Sequence, residues 1–196
     1  MTQGQRNRRE RRPGESHAES EKPPGRWSAD PALLRDPIHL LAFGFGAGLA
    51  PRAPGTFGTL VAIPIAWGLL LVLPPLAIAF MAIPAFFLGV WACTVTGRDL
   101  GIEDHGSMVI DEIVAFLPLS ALSLPSALAT HNPVLLVAAF VLFRLFDIVK
   151  PPPIRALERN VRGGLGVMVD DVVAAFYAYV AFVIFIVVMY KVFRFQ

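Results

Sequence analysis

The chain has 196 residues, of which 55% are hydrophobic, and a mean hydropathy of +0.60 with a formal net charge of +2. That is far above soluble composition and implies a membrane protein of one domain; no nucleic-acid partner is expected. The only cysteine, Cys93 in the apolar run GVWACTV, excludes an intrachain disulfide and a cysteine-based zinc site. Arg98 is the fifth residue beyond it, whereas a Cys-x5-Arg phosphatase loop needs the sixth.

Charge is unevenly spread along the chain. Residues 1–36 carry eight Lys or Arg against six acids, and residues 37–196 carry nine of each. The apolar part is therefore balanced, and its charges are expected to pair with each other or with ligands.

Residues 1–36 are polar, rich in Arg, Glu, Pro and Gly, and lack apolar periodicity, so a disordered tail is expected, followed by a helical membrane domain over 37–196. The tail has no signal-peptide pattern, and its arginines Arg6, Arg8, Arg9, Arg11 and Arg12 are read as holding the N-terminus in the cytoplasm. IHLLAFGFGAGLA, from Ile38, is too short and too Gly-rich to span the hydrocarbon layer, and reads as a surface or re-entrant helix. In PRAPGTFGTL, Pro51, Pro54, Gly55 and Gly58 are expected to prevent regular structure, with Thr56 or Thr59 capping the next helix. Gly55 and Thr56 are candidates for holding an anion at that helix start, although a plain turn is the commoner explanation of such a loop.

Thr59–Leu73 and Pro75–Val95 read as an apolar hairpin turning at LPP. A polar block, GRDLGIEDHGSMVIDE, precedes an apolar run over Ile113–Leu124, a Ser-Leu-Pro-Ser turn and polar stretch to Pro133, and a further run over Val134–Phe146. The last span expected is Val172–Tyr190. The fold class is thus all-α, a polytopic helical membrane protein of about four to five spans plus the short re-entrant or surface helix. From a cytoplasmic N-terminus the hairpins return residues 97–112 and 147–171 to the cytoplasmic face, where the acids would gather.

Three polar blocks hold the candidate chemistry. DHGSMVIDE brings His105 and then Asp111 and Glu112 to the mouth of a helix, where carboxylates are costly unless paired or metal-bound. Helix-dipole compensation would explain a single acid there, but not three acid-bearing blocks on one face. In FRLFDIVKPPPIR, Arg144 and Lys150 flank Asp147 if the helix reaches Lys150, and the prolines aim Arg155 back toward the same region. In RNVRGGLGVMVDD, Gly163 and Gly164 would let the backbone approach a ligand, and Asp170 and Asp171 open the last span. Asp111, Glu112, Asp147, Asp170 and Asp171 form an oxygen-only set suited to Mg2+, or Mn2+ as a substitute. Arg144, Lys150, Arg155 and Arg162 offer cations to an anionic substrate, so phosphate chemistry on a lipid is the expectation.

FGFGAGLAPRAPGTFGTL, DHGSMVIDE, FRLFDIVKPPPIRALERN and GGLGVMVDDVVA, in this order over about residues 38–180, resemble the phosphatidylglycerophosphatase A family of magnesium-dependent lipid phosphatases. The chain departs from the family pattern at Ile110, often aromatic there, and at Ala175, frequently glycine; neither change touches an acid or a cation. The resemblance implies a helical enzyme of the bacterial inner membrane. It would act on a phospholipid, phosphatidylglycerophosphate, at a site facing the cytoplasm.

Rival readings fit less well. A CDP-alcohol phosphotransferase needs D-x2-D-G-x2-A-R with a later G-x3-D-x3-D, the haloacid-dehalogenase pattern needs D-x-D-x-[TV], and the lipid-phosphatase triad needs P-S-G-H; none occurs. A small transporter with metal-binding acids would place them near mid-span, and here they lie at span ends.

Overall fold

A computed structural model describes residues 29–130 and 133–194, so residues 1–28 of the expected tail lie outside the described residues, as do 131–132 of the expected polar stretch. The described residues are all helix and turn, with no strand among them. A 3-10 turn over Pro31–Arg35 leads into α1 (Pro37–Ala42) and a second 3-10 segment, Gly44–Leu49. Then come α2 (Pro54–Leu70), α3 (Pro75–Leu100), α4 (Ile110–Thr130), α5 (Val134–Val149), α6 (Ile154–Asn160) and α7 (Gly163–Arg194).

Local chemistry sets several of these boundaries. Asp30 and Asp36 each accept a backbone N–H two residues on, at 2.8 and 2.7 Å, and each is followed by a proline suited to a first helical turn. The last residues of the expected tail are therefore ordered by capping, and Leu33 and Leu34 pack against the core. Gly101, at φ 66°, ends α3 in the left-handed conformation that glycine adopts without cost.

α4 is the central helix, packed against α2, α3, α5 and α7. Ile113, Phe116 and Leu119 are buried along it, and Phe116 meets Phe143 of α5 with ring centroids 5.3 Å apart. Pro75–Leu100 and Gly163–Val192 are long and apolar enough to cross a membrane. Only 22% and 17% of their most apolar stretches are buried in the protein, whereas the core helix of a soluble domain would be mostly buried.

Four expectations are corrected. Helix α2 begins at Pro54, so Gly55 and Gly58 are helical, and its N-cap is Ala53 with no side-chain hydrogen bond rather than a threonine. The Ser-Leu-Pro-Ser turn is absent, because α4 continues through Pro118 and Pro125 to Thr130. Neighbouring helices and small local adjustments let a buried or membrane helix carry proline. Helix α5 stops at Val149, and Lys150 takes a left-handed conformation, φ 45°, ahead of the prolines. Finally, α7 starts at Gly163, so Asp170 and Asp171 lie two turns inside it rather than at its mouth.

Candidate active site

The N-terminal parts of α2, α4 and α7 meet the C-terminal end of α5, and the acids collect where they meet. One carboxylate oxygen from each of Asp111, Glu112 and Asp171 lies within 4.8 Å of the others. Asp111 and Asp171 are 9% and 3% exposed, a degree of burial that carboxylates do not reach without partners. Asp147 of α5 faces Asp171 and lies near Glu112, and Arg144 Nη1 holds it at 2.6 Å.

Arg144 reaches the cluster because it sits one turn before Asp147 on the inward face of α5. Its Nη1 also lies 3.8 Å from Glu112 Oε1 and donates to Thr59 Oγ1 at 3.4 Å. Thr59 in turn donates to Gly55 O at 2.9 Å. Gly55 has a steric reason to be glycine, since a β-carbon there would collide with Glu112 Oε1 and stand 3.1 Å from Arg144 Nη1. Its role is to let α2 approach the ion pair, and Thr56 beside it is half-buried in the first turn of α2.

Asp170 and Asp171 project about 100° apart around α7, and this divides their roles. Asp171 turns toward α4 and α5. Asp170 turns toward the α5–α6 connection, where Lys150 Nζ meets its Oδ2 at 2.6 Å and Glu158 Oε1 at 3.1 Å. Burial alone would lower the Lys150 ammonium, but Asp170 and then Glu158 outweigh it and hold it above its usual value. Asp170 Oδ1 accepts the Asp171 N–H at 3.1 Å, so both Asp170 oxygens are engaged. Lys150 thus pairs with Asp170 rather than flanking Asp147, because its left-handed backbone takes it off the α5 face.

The other predicted residues lie around this centre. His105 is buried in the α3–α4 loop, where its Nδ1 accepts the Ser107 N–H at 3.2 Å. Burial pushes its imidazole below the usual value, with Asp104 opposing. Arg155 is exposed and donates to Val149 O at 3.0 Å, closing the end of α5. Arg162 and Gly163 line a polar cavity of about 210 Å³ with Asp104, Glu158, Arg159 and Asp170. Gly164 has a steric reason to be glycine: a β-carbon there would strike Val90 O and Thr94 Oγ1, so this glycine lets α7 lie against α3.

Two features escaped the sequence reading. Thr59 completes the Arg144 network; its spacing of four from Gly55 would have revealed it had the helix been started at Pro54. His39, buried on α1, bonds Thr96 Oγ1 at 3.0 Å and approaches Asp99 Oδ2 at 3.5 Å, tying α1 to α3. No local pattern announces a pair 57 residues apart.

The donor chemistry can be tested against a divalent cation. Asp111 Oδ1, Glu112 Oε2 and Asp171 Oδ2 are buried with no hydrogen-bond partner, as are Ser107 Oγ and Arg144 Nε. Buried carboxylate oxygens without donors are strongly disfavoured, and a hard cation satisfies three of them at once. Dipole compensation does not account for Asp171, since the dipole's influence fades beyond the first turn. The residues fit a magnesium-type ion.

Fold and site together define an all-helical protein with a buried, oxygen-only carboxylate centre bordered by cations. Residues 40–186 match the sequence model of the family described as Phosphatidylglycerophosphatase A, and the chain belongs to that family. It is 43% identical over 141 residues to the Phosphatidylglycerophosphatase A of Escherichia coli strain K12, covering 72% of this chain and 78% of that one. It is 44% identical over 146 residues to the Haemophilus influenzae protein of the same name, covering 74% and 86%. A Bacteroides thetaiotaomicron protein, 41% identical over 146 residues and covered at 72% and 88%, is named provisionally as a phosphatidylinositol-3-phosphatase. No solved structure matches the chain.

Proposed function

We propose that this protein hydrolyses the terminal phosphomonoester of phosphatidylglycerophosphate, yielding phosphatidylglycerol and inorganic phosphate. The observation that carries this reading is the group of unpartnered buried oxygens on Asp111, Glu112 and Asp171 beside Arg144, in a chain of this family. Asp111, Glu112 and Asp171 would hold Mg2+ or Mn2+, with Asp147 beside them. Bound there, the ion would supply Lewis-acid stabilisation of phosphoryl charge and would help water act as a nucleophile near neutral pH.

The chain's own groups do the rest. Arg144 is fixed through Nη1 by Asp147, Thr59 and Glu112, which holds its guanidinium charge beside the carboxylates, where it would offset the negative charge of a phosphoryl group. Lys150 keeps its charge and anchors Asp170, which fixes the α7 turn that presents Asp171. In the reaction the water oxygen forms a bond to phosphorus as the bond to the glycerol oxygen breaks. The proton lost by water is taken up at the carboxylate cluster, and the leaving oxygen gains one in return.

The protein is read as embedded in a bacterial inner membrane through about four to five spans, with the site facing the cytoplasm. Support comes from large apolar side chains left in the open, among them Val72, Leu76, Phe87, Ile148 and Phe176, each more than 60% exposed. The test is phosphate release by purified protein from phosphatidylglycerophosphate, phosphatidate and phosphatidylinositol 3-phosphate, with and without magnesium. Magnesium-dependent release, fastest from phosphatidylglycerophosphate, is expected. Faster release from phosphatidylinositol 3-phosphate would transfer the assignment to that substrate, and full turnover without metal would remove the carboxylates from their role.

A further inference from the structure

We propose that the apolar groove between α3, α4 and α7 is a subsite for one acyl chain of the phospholipid whose phosphate is cleaved at the carboxylate centre; this rests on the function proposed above. The groove encloses about 860 Å³, within the range of small-ligand pockets. Its lining includes Ala79 and Ala82 of α3, Ala115 of α4 and Ala175 of α7, between larger walls such as Phe87 and Phe176. Small residues from all three helices leave a concavity where bulkier ones would close the packing.

Position selects the occupant. Ala115 lies four residues beyond Asp111, and Ala175 four beyond Asp171, so the helix faces that turn acids into the site turn small residues into the groove. Helices α3 and α7 touch at Val90–Gly164 and Gly89–Met168, and the groove opens one turn further on, at Phe86 and Val172. From there it runs to Leu122 on α4 and Tyr179 on α7. At 1.5 Å per residue those positions lie roughly 16 and 12 Å along the helices from Asp111 and Asp171. One leaflet of hydrocarbon is about half of a ~30 Å core, so the groove has the depth of a single acyl chain with its headgroup at the acids.

The experiment measures the ratio of kcat/KM for dioleoyl over dihexanoyl phosphatidylglycerophosphate. In the wild type the long-chain substrate is expected to be preferred. Ala82→Leu and Ala175→Leu should each reduce that preference about tenfold, equivalent to roughly two buried methylene groups lost from the complex. Val187→Ala, exposed on α7 outside the groove, should leave the ratio where it was. A ratio unchanged in both groove variants would overturn the proposal. A second measurement needs no variant: a dioleoyl substrate carrying a photoactivatable diazirine on one chain is crosslinked to the wild-type protein. Labelling should concentrate on the α3, α4 and α7 groove segments and be displaced by unlabelled substrate. Even labelling of α2 and the distal part of α7, or groove contacts made by a second copy of the chain, would overturn the subsite. Should the wild type release no phosphate from either lipid, the proposed function fails, and the crosslinking map still decides the groove.

Discussion

Lys150 Nζ and Asp170 Oδ2 stand 2.6 Å apart across a 20-residue interval containing three prolines, a short helix and two turns of α7. The pair connects the end of α5 to the helix that carries Asp171. It converts two polar sequence blocks into one rigid wall.

Breaking that pair should show coupling. Lys150→Ala leaves Asp170 buried without its cation, and Asp170→Asn leaves Lys150 with Glu158 alone. In a double-mutant cycle read by thermal unfolding of the membrane-inserted protein, the double variant should be more stable than the single costs add to, by about 0.5–3 kcal/mol. Strict additivity would show that the pair contributes nothing.

Metal dependence should separate the neighbouring acids. Asp111→Asn and Asp171→Asn are expected to lower phosphate release by about 100-fold or more and to require more magnesium, since each removes an oxygen with no other partner. Asp170→Asn should lose less and keep its magnesium midpoint, because its oxygens are held by Lys150 and a backbone N–H. Magnesium titrations of all three variants check this, with chelation abolishing wild-type turnover. Equal midpoints for Asp170→Asn and Asp171→Asn would contradict the division of roles.

Glycine positions in α2 provide a steric control. Gly55→Ala places a methyl group against Glu112 Oε1 and Arg144, and overpacking of that kind costs about 1–3 kcal/mol and should cripple turnover. Gly68→Ala, in the same helix, meets nothing within 4 Å and should be neutral or stabilising by up to about 1 kcal/mol. Unfolding and activity measured on both variants distinguish a local collision from a general intolerance of alanine in α2.

The sidedness of the site can be read by cysteine labelling. Ser107 is fully buried and would resist reagent from either side, so exposed Glu103 is the better reporter for the α3–α4 loop and Asn160 for the end of α6. In a Cys93→Ala background, Glu103→Cys and Asn160→Cys should both be modified from the cytoplasmic side by an impermeant maleimide. Labelling from opposite sides would separate the polar blocks that the site needs together.

The sequence by itself determined the helical class, the apolar runs that became α2 to α5 and α7, and the acids and arginine that meet at the centre. Those features are local: composition fixes the solvent a helix prefers, and a carboxylate beside apolar residues needs a partner wherever it folds. Helix limits are not legible in the sequence where proline and glycine enter helices, since only packing neighbours decide whether a missing N–H or β-carbon is tolerated, as at Pro118, Pro125 and Gly55. Adjacency in sequence also could not divide Asp170 from Asp171 or assign Lys150 its partner. Those choices follow from the phase of α7 and the left-handed turn at Lys150, which exist only once α4, α5 and α7 are packed together. The tertiary structure alone decided that Thr59 supports Arg144 and that Gly164 serves helix packing, because each acts on a group far away in the chain.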